Sequence, residues 1–250
     1  MTKFIAIIPA RYASTRFPGK PLAYLADRPI IQHVYERVKT VFADTYVATD
    51  DERIYSAVEA FGGKVIMTSG SHRSGTDRCR EAYEKSGILA DVIVNVQGDE
   101  PFISQRQLNT IQRCFDDGLA QIATLVQPFS TADGWSALEN PNSPKVVVDQ
   151  NDYALYFSRS VIPYLRGVDK HDWLKAHTFY KHIGLYAYKA DVLRHITDMP
   201  QSHLEIAESL EQLRWLEAGL RIKVGYTEDR TIGIDTPDDL QRAKDFLQKQ

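Results

Sequence analysis

IAIIPARYASTRFPGKPL, Ile5 to Leu22, sets the reading of the whole chain. Phe4 to Ile8 form an apolar, β-type run, and the run empties into a loop that carries Arg11, Arg16 and Lys20 among small residues and prolines. In open α/β sheets ligands lie beyond the carboxyl ends of the strands, and this loop follows such an end. Pro9, Pro18 and Pro21 restrict its backbone, while Ala13, Ser14 and Gly19 let a ligand approach closely. Arginine offers a bidentate fork to phosphate and lysine a compact point charge, so one polyphosphate satisfies Arg11, Arg16 and Lys20 together. The plainer alternative is a solvated loop whose cations face water or pair with distant acids.

Outward from this stretch, short apolar runs alternate with helical patterns. Pro29–Phe42 carries Ile30, Ile31, Val34, Val38 and Val41 at helical spacing. Thr45–Thr49 reads as a strand, Asp51–Phe61 as a helix stopped by Gly62 and Gly63, and Lys64–Thr68 as a strand. A helix ending at Gly87 follows, then Asp91–Gln97, whose continuous apolar character predicts a central strand covered on both faces. A further helix covers SQRQLNTIQRCFDDG. This alternation predicts an α/β fold with a doubly wound, mostly parallel sheet.

From about Ile122 to Ala190 the texture changes to strand-like runs without good helices between them, which predicts an antiparallel, β-rich lobe over 121–190 beside an α/β domain made of 1–120 and 191–250. A helix over His203–Gly219, a strand and a final helix capped by Thr236 complete the chain.

The 250 residues are 43% hydrophobic and 25% charged, with a net charge of −3. Nothing in that balance favours nucleic acid or an anionic membrane. Two scattered cysteines suit a reducing compartment. The short apolar run near Met1 fits no signal peptide, and no segment is long enough for membrane insertion, so a cytoplasmic protein is expected. Neither G-x-x-x-x-G-K-[ST] nor G-x-G-x-x-G occurs, which excludes the P-loop and nicotinamide-binding signatures.

A second strand end supplies the opposite charge. VIVNVQGDEPF places Gln97, Gly98 and Asp99 directly after an apolar run, and TIGIDTPDDL places Asp235 after another. Each aspartate alone reads as readily as a turn or capping residue. Together they make the carboxylate pair that holds Mg²⁺ against a triphosphate, since Mg²⁺ takes one or two carboxylates plus phosphate oxygens and waters.

These segments, with HRSGTDRC, YALYFSRSVIP, YKHIGLYAYK and LEQLR, closely resemble the 3-deoxy-manno-octulosonate (Kdo) cytidylyltransferases of the sugar nucleotidyltransferase superfamily, from Ile5 to about Ala243. The resemblance implies a Rossmann-like nucleotidyltransferase that transfers CMP from CTP to the anomeric hydroxyl of Kdo, releases pyrophosphate, uses Mg²⁺, works as a cytoplasmic homodimer and serves lipopolysaccharide biosynthesis. Residue by residue, it implies that Arg11, Ser14, Arg16 and Lys20 cradle the triphosphate. Ser74, Gly75 and Thr76 lie near base and ribose, and Gln97 lies between nucleotide and sugar. Asp99 and Asp235 ligate the metal. Arg159, His182, Tyr186, Glu211 and Gln212 form the sugar-acid pocket, with Arg159 forking onto the carboxylate and His182 donating beside it. Two other readings stay open: a cytidylyltransferase for sialic acid or an amino-substituted Kdo, and a non-catalytic nucleotide-binding protein.

Overall fold

The structure, a computed structural model, describes residues 2–14, 16–229 and 233–247. In chain order the elements are β1 (Phe4–Ala10), β2 (Tyr24–Leu25), β3 (Arg28–Pro29), α1 (Ile30–Lys39), β4 (Thr45–Thr49), α2 (Glu52–Ala60), β5 (Val65–Met67), α3 (Gly75–Ser86), β6 (Val92–Asn95), α4 (Gln105–Arg113), β7 (Ile122–Pro128), α5 (Gly134–Glu139), β8 (Lys145–Val148), β9 (Ala154–Ser158), α6 (Trp173–Ala176), β10 (Tyr180–Lys189), α7 (Ala190–Asp198), α8 (His203–Glu208), α9 (Gln212–Glu217), β11 (Ile222–Tyr226) and α10 (Pro237–Leu247).

The chain divides into two compact units. The first takes Met1–Asn109, Ala187–Thr197 and Arg230–Gln250, and the second takes Thr110–Tyr186 and Asp198–Asp229. The second unit therefore also holds α8, α9 and β11, which the sequence reading placed with the α/β domain.

In the first unit four parallel strands run in the order β6-β1-β4-β5. Ile5, Ile7 and Ile8 of β1 are wholly buried, as expected of a strand with neighbours on both edges and helices on its faces. The chain steps outward from β1 to β4 to β5, then returns to set β6 on the other edge of β1. That reversal is the topological switch point at which doubly wound sheets bind ligands. The crossover helices start on local signals. Asp51 caps α2 by accepting from the Arg53 N–H at 2.9 Å. Ser74 and Asp77 form a reciprocal capping box on α3, which stops at Gly87 with φ 65°. Thr236 and Asp239 do the same for α10, as its sequence predicts.

In the second unit β7 lies between β11 and β10, β8 pairs antiparallel with β10, and β9 pairs antiparallel with β8. Two expectations are corrected here. The lobe is not purely antiparallel, because β11 joins β7 in parallel, Ile222 opposite Ile122 through Tyr226 opposite Val126. Nor is it free of helices, since α5 and α6 fall inside it. The single helix expected over His203–Gly219 is two helices, because Ser209 takes a left-handed conformation, φ 50°, between α8 and α9. No expectation covered α7.

Candidate active site

The ends of β1, β5 and β6 supply most of a cavity of about 240 Å³ in the first unit. The loop after β1 brings Arg11, Ser14, Arg16 and Lys20; the segment entering α3 brings His72, Arg73, Ser74 and Gly75; the turn after β6 brings Gln97, Gly98 and Asp99; and Asp235 precedes α10. Two glycines make this convergence possible. A Cβ on Gly98 would stand 2.9 Å from the Pro9 carbonyl oxygen, so only glycine lets the β6 turn lie against the end of β1. Gly19 has φ +69°, and a Cβ there would meet the Tyr12 ring at 3.0 Å. The Tyr12 carbonyl accepts from both the Ser14 and Gly19 N–H groups, which folds the phosphate-type loop back on itself. Arg53 stacks on the other component of this corner, the Tyr12 ring, at 3.2 Å.

The loop cations find acids from far along the chain. The Lys20 ammonium donates to Asp99 at 2.5 Å and to Asp235 at 3.2 Å, and Arg16 reaches the same Asp235 oxygen at 3.1 Å. The distant-acid alternative and the carboxylate-pair reading thus meet at one place. Deeper in, Arg78 is buried, donates to Thr68 at 2.5 Å and pairs with Asp50 at 3.2 Å. His72 at the cavity wall contacts Glu81. Burial works to raise the Glu81 carboxyl, but hydrogen bonds from Lys85, the Ser69 N–H and His72 outweigh it and hold the pKa down to about 2.

Arg11, Ser14, Arg16, Lys20, Ser74, Gly75, Gln97, Asp99 and Asp235 all line the cavity, as the sequence reading has them. Thr76 does not line it; the residue is buried in the first turn of α3. The start of the TIGID run, Thr231 and Ile232, lies outside the described residues. The sequence reading missed His72, Arg73 and Arg78. The signal was present, since all three sit within or beside HRSGTDRC, but only the SGT core of that segment was weighed.

The five sugar-side candidates lie in the second unit. Arg159 spends three donors on backbone carbonyls, those of Glu208 at 2.6 Å, Pro141 at 2.8 Å and Ser209 at 3.2 Å. The Glu208 carboxylate accepts in turn from the Arg159 N–H at 2.8 Å and the Ser158 hydroxyl at 2.6 Å. Arg159 is therefore tied to the turn that leads into Glu211 and Gln212. Arg214 donates to Glu211 at 2.9 Å. Gln212 is buried, and its side-chain nitrogen has no partner among the described residues. The rings of His182 and Tyr186 lie 5.2 Å apart, and Trp215 meets the Tyr186 ring edge-on, also at 5.2 Å.

The expectation that His182 donates beside a carboxylate needs correction. Burial alone pushes its imidazole pKa down to about 4, so the ring is neutral near pH 7. The Thr124 hydroxyl has one proton, and it is directed at the carbonyls of Leu185 at 2.9 Å and Ile183 at 3.2 Å. The network therefore assigns the His182 Nε2–H as donor to Thr124, at 3.1 Å. The remaining Nδ1 is an acceptor, which suits a sugar hydroxyl rather than a carboxylate.

Asp99 and Asp235 converge on one ammonium, so their oxygens also suit one hard cation whose other ligands are phosphate oxygens and water. Among the described residues no group of three or more His, Cys, Asp or Glu is placed to hold a metal. The donor set thus fits a cation shared with a bound phosphate better than one caged by protein alone.

Residues 5–222 match the family model described as cytidylyltransferase. The chain is 66% identical over 248 residues to a 3-deoxy-manno-octulosonate cytidylyltransferase of Phocaeicola vulgatus, covering 99% of this chain and 98% of that one. It is 45% identical over 253 residues to the protein of that name from Escherichia coli, covering 100% and 98%. Among solved structures, that of CMP:2-keto-3-deoxy-manno-octonic acid synthetase complexed with CTP superposes with a TM-score of 0.90 at 44% identity, covering 99% of each chain. A putative glucose-1-phosphate thymidylyltransferase from Bacillus anthracis superposes with a TM-score of 0.65 at 17% identity and shares the fold.

Proposed function

The chain belongs to the cytidylyltransferase family, and we propose that the cavity of its first unit binds CTP for transfer of CMP to the anomeric hydroxyl of Kdo. One observation carries this reading: five cationic side chains and two carboxylates, brought from separate segments of the chain, line a single cavity at the sheet's switch point. The identity to relatives named for this activity and the fit to a CTP-bound synthetase support the choice of nucleotide and acceptor.

The anomeric oxygen of Kdo attacks the α-phosphorus of CTP. The new bond joins that oxygen to phosphorus, the bond to the β-phosphate bridging oxygen breaks, pyrophosphate carries away the electron pair, and the hydroxyl proton passes to solvent water. An in-line displacement inverts phosphorus. As in other phosphoryl-group transfers, the protein contributes mainly alignment and charge stabilisation. Arg11 and Arg16 fork onto triphosphate oxygens, and Lys20 stabilises charge on the leaving pyrophosphate. Ser74 and Gly75 border the nucleoside, and Gln97, oriented by Asn95 at 3.2 Å, stands beside the reacting phosphate. Asp99 and Asp235 would hold Mg²⁺, which supplies charge neutralisation at the phosphates and a lower pKa for the acceptor hydroxyl. The second unit reads the sugar acid. Arg159 has guanidinium donors beyond the three it has spent, and His182 Nδ1, Tyr186, Glu211 and Gln212 supply hydroxyl partners.

This activity places the chain in lipopolysaccharide precursor synthesis in the cytoplasm. Exposed Leu155, Tyr164 and Ile206 in the second unit support a homodimer.

The test is pyrophosphate release with CTP and a panel of sugar acids. Release that depends on Kdo supports the proposal. Release only with sialic acid or an amino-substituted Kdo moves the acceptor, and no release with any acid removes the catalytic reading.

A further inference from the structure

Lys20 stands between the two carboxylates assigned to the metal. Its ammonium is 2.5 Å from Asp99 and 3.2 Å from Asp235, and its side chain is only 13% exposed. Arg16 of the same loop adds a second cation on the same Asp235 oxygen. The loop that should grip a triphosphate is thus bound to the carboxylates that should grip the metal. A lysine ammonium has three donors, and two are already committed. It cannot serve the carboxylates and the phosphates fully at once. A divalent cation entering between Asp99 and Asp235 would also meet that ammonium at contact distance, and the like charges repel.

We propose that Lys20 is the resident counter-ion of the Asp99–Asp235 pair in the nucleotide-free protein, and that the incoming triphosphate opens the pair to a divalent cation by drawing the ammonium away. This rests on the assignment of Asp99 and Asp235 as metal ligands. The backbone around Lys20 is fixed: Gly19 donates to the Tyr12 carbonyl at 3.0 Å, Lys20 opens a short 3-10 turn over Lys20–Leu22, and Pro21 behind it is buried. The exchange is therefore a rotation of one side chain and needs no opening of the loop. The triphosphate, with several negative charges, is the stronger partner for an ammonium than two aspartates, of which Asp235 is already shared with Arg16. Nucleotide and metal then bind with positive coupling, and the lysine carries the coupling.

The test is Mn²⁺ binding to the full chain at neutral pH, read from the electron paramagnetic resonance signal of free Mn²⁺. Wild-type protein without nucleotide should bind Mn²⁺ weakly, and Lys20→Met should bind it about tenfold more tightly, a step within the ordinary range of coupling between sites. An α,β-methylene analogue of CTP should tighten Mn²⁺ binding strongly in wild type and much less in the variant. Lys20→Gln gives the same reading should the Met variant fail to fold. Mn²⁺ binding by the folded variants that is no tighter than wild type overturns the proposal. The double variant Lys20→Met/Asp99→Asn separates the two layers. If it retains the tightened Mn²⁺ binding, the assignment of Asp99 as a ligand falls and the proposal with it. If Asp99→Asn alone abolishes nucleotide-dependent Mn²⁺ binding while Lys20→Met changes nothing, the metal assignment stands and only the role of Lys20 falls.

Discussion

Lys20 and Asp99, 79 positions apart in the chain, meet at 2.5 Å. One closes the loop after β1 and the other the turn after β6, so their contact ties together the two strand ends that flank the switch point. Replacing Asp99 with Asn keeps the shape and removes the charge. Pyrophosphate release at saturating Mg²⁺ should fall by about 10²–10³, the usual cost of one preorganised electrostatic group. Near-normal turnover in a folded Asp99→Asn variant contradicts the assignment.

Gly98 carries the same junction on its backbone. Gly98→Ala forces a Cβ to within 2.9 Å of the Pro9 carbonyl oxygen, a contact that only a backbone shift relieves. Denaturant unfolding should show a loss of about 1–3 kcal/mol, the ordinary cost of overpacking. Turnover should fall as well, because Asp99 moves with the turn. An unchanged unfolding midpoint contradicts the close approach.

How much of this was legible in the sequence follows from which forces are local. The strand run Ile5–Ile8, the Asp51 cap, the Gly87 stop and the Thr236 cap are decided by neighbours within a few residues, and the structure has them where the pattern puts them. The parallel pairing of β11 with β7 joins residues a hundred positions apart and leaves no local trace. The break at Ser209 is likewise tertiary: the Glu208 and Ser209 carbonyls turn toward Arg159 instead of continuing a helix. Most cavity-lining residues were readable because chemistry-bearing loops follow strand ends, whereas His72, Arg73 and Arg78 were passed over. The hydrogen-bond role of His182 was not, since it depends on burial and on the one proton of Thr124.

His182 should also mark the acid limb of stability. Its folded pKa of about 4 lies below the unfolded value near 6.5, so the unfolded chain takes up a proton first as pH falls. Stability from this site is complete above about 6.5 and declines toward pH 4, by about 2–3 kcal/mol in all. Unfolding free energies across that window should flatten in His182→Gln. An equal slope in both proteins contradicts a buried, neutral imidazole.

Glu208 holds Arg159 without being assigned to the substrate itself, through the Ser158 hydroxyl and the Arg159 N–H. Glu208→Gln weakens two charge-assisted hydrogen bonds, each ordinarily worth about 1.5–3 kcal/mol. The KM for Kdo should rise about tenfold or more, while the KM for CTP stays within about twofold. Equal rises in both contradict the division of labour between the two units.

The central claim is that the polyphosphate, the loop cations and the Asp99–Asp235 pair share one site. Crystals grown with CTP and Mn²⁺, measured at a wavelength where manganese scatters anomalously, test it most directly. The account predicts a manganese peak in contact with Asp99, Asp235 and triphosphate oxygens, with Arg11 and Lys20 on the same phosphates. A manganese peak bound elsewhere, or a triphosphate held away from the loop that follows β1, contradicts it.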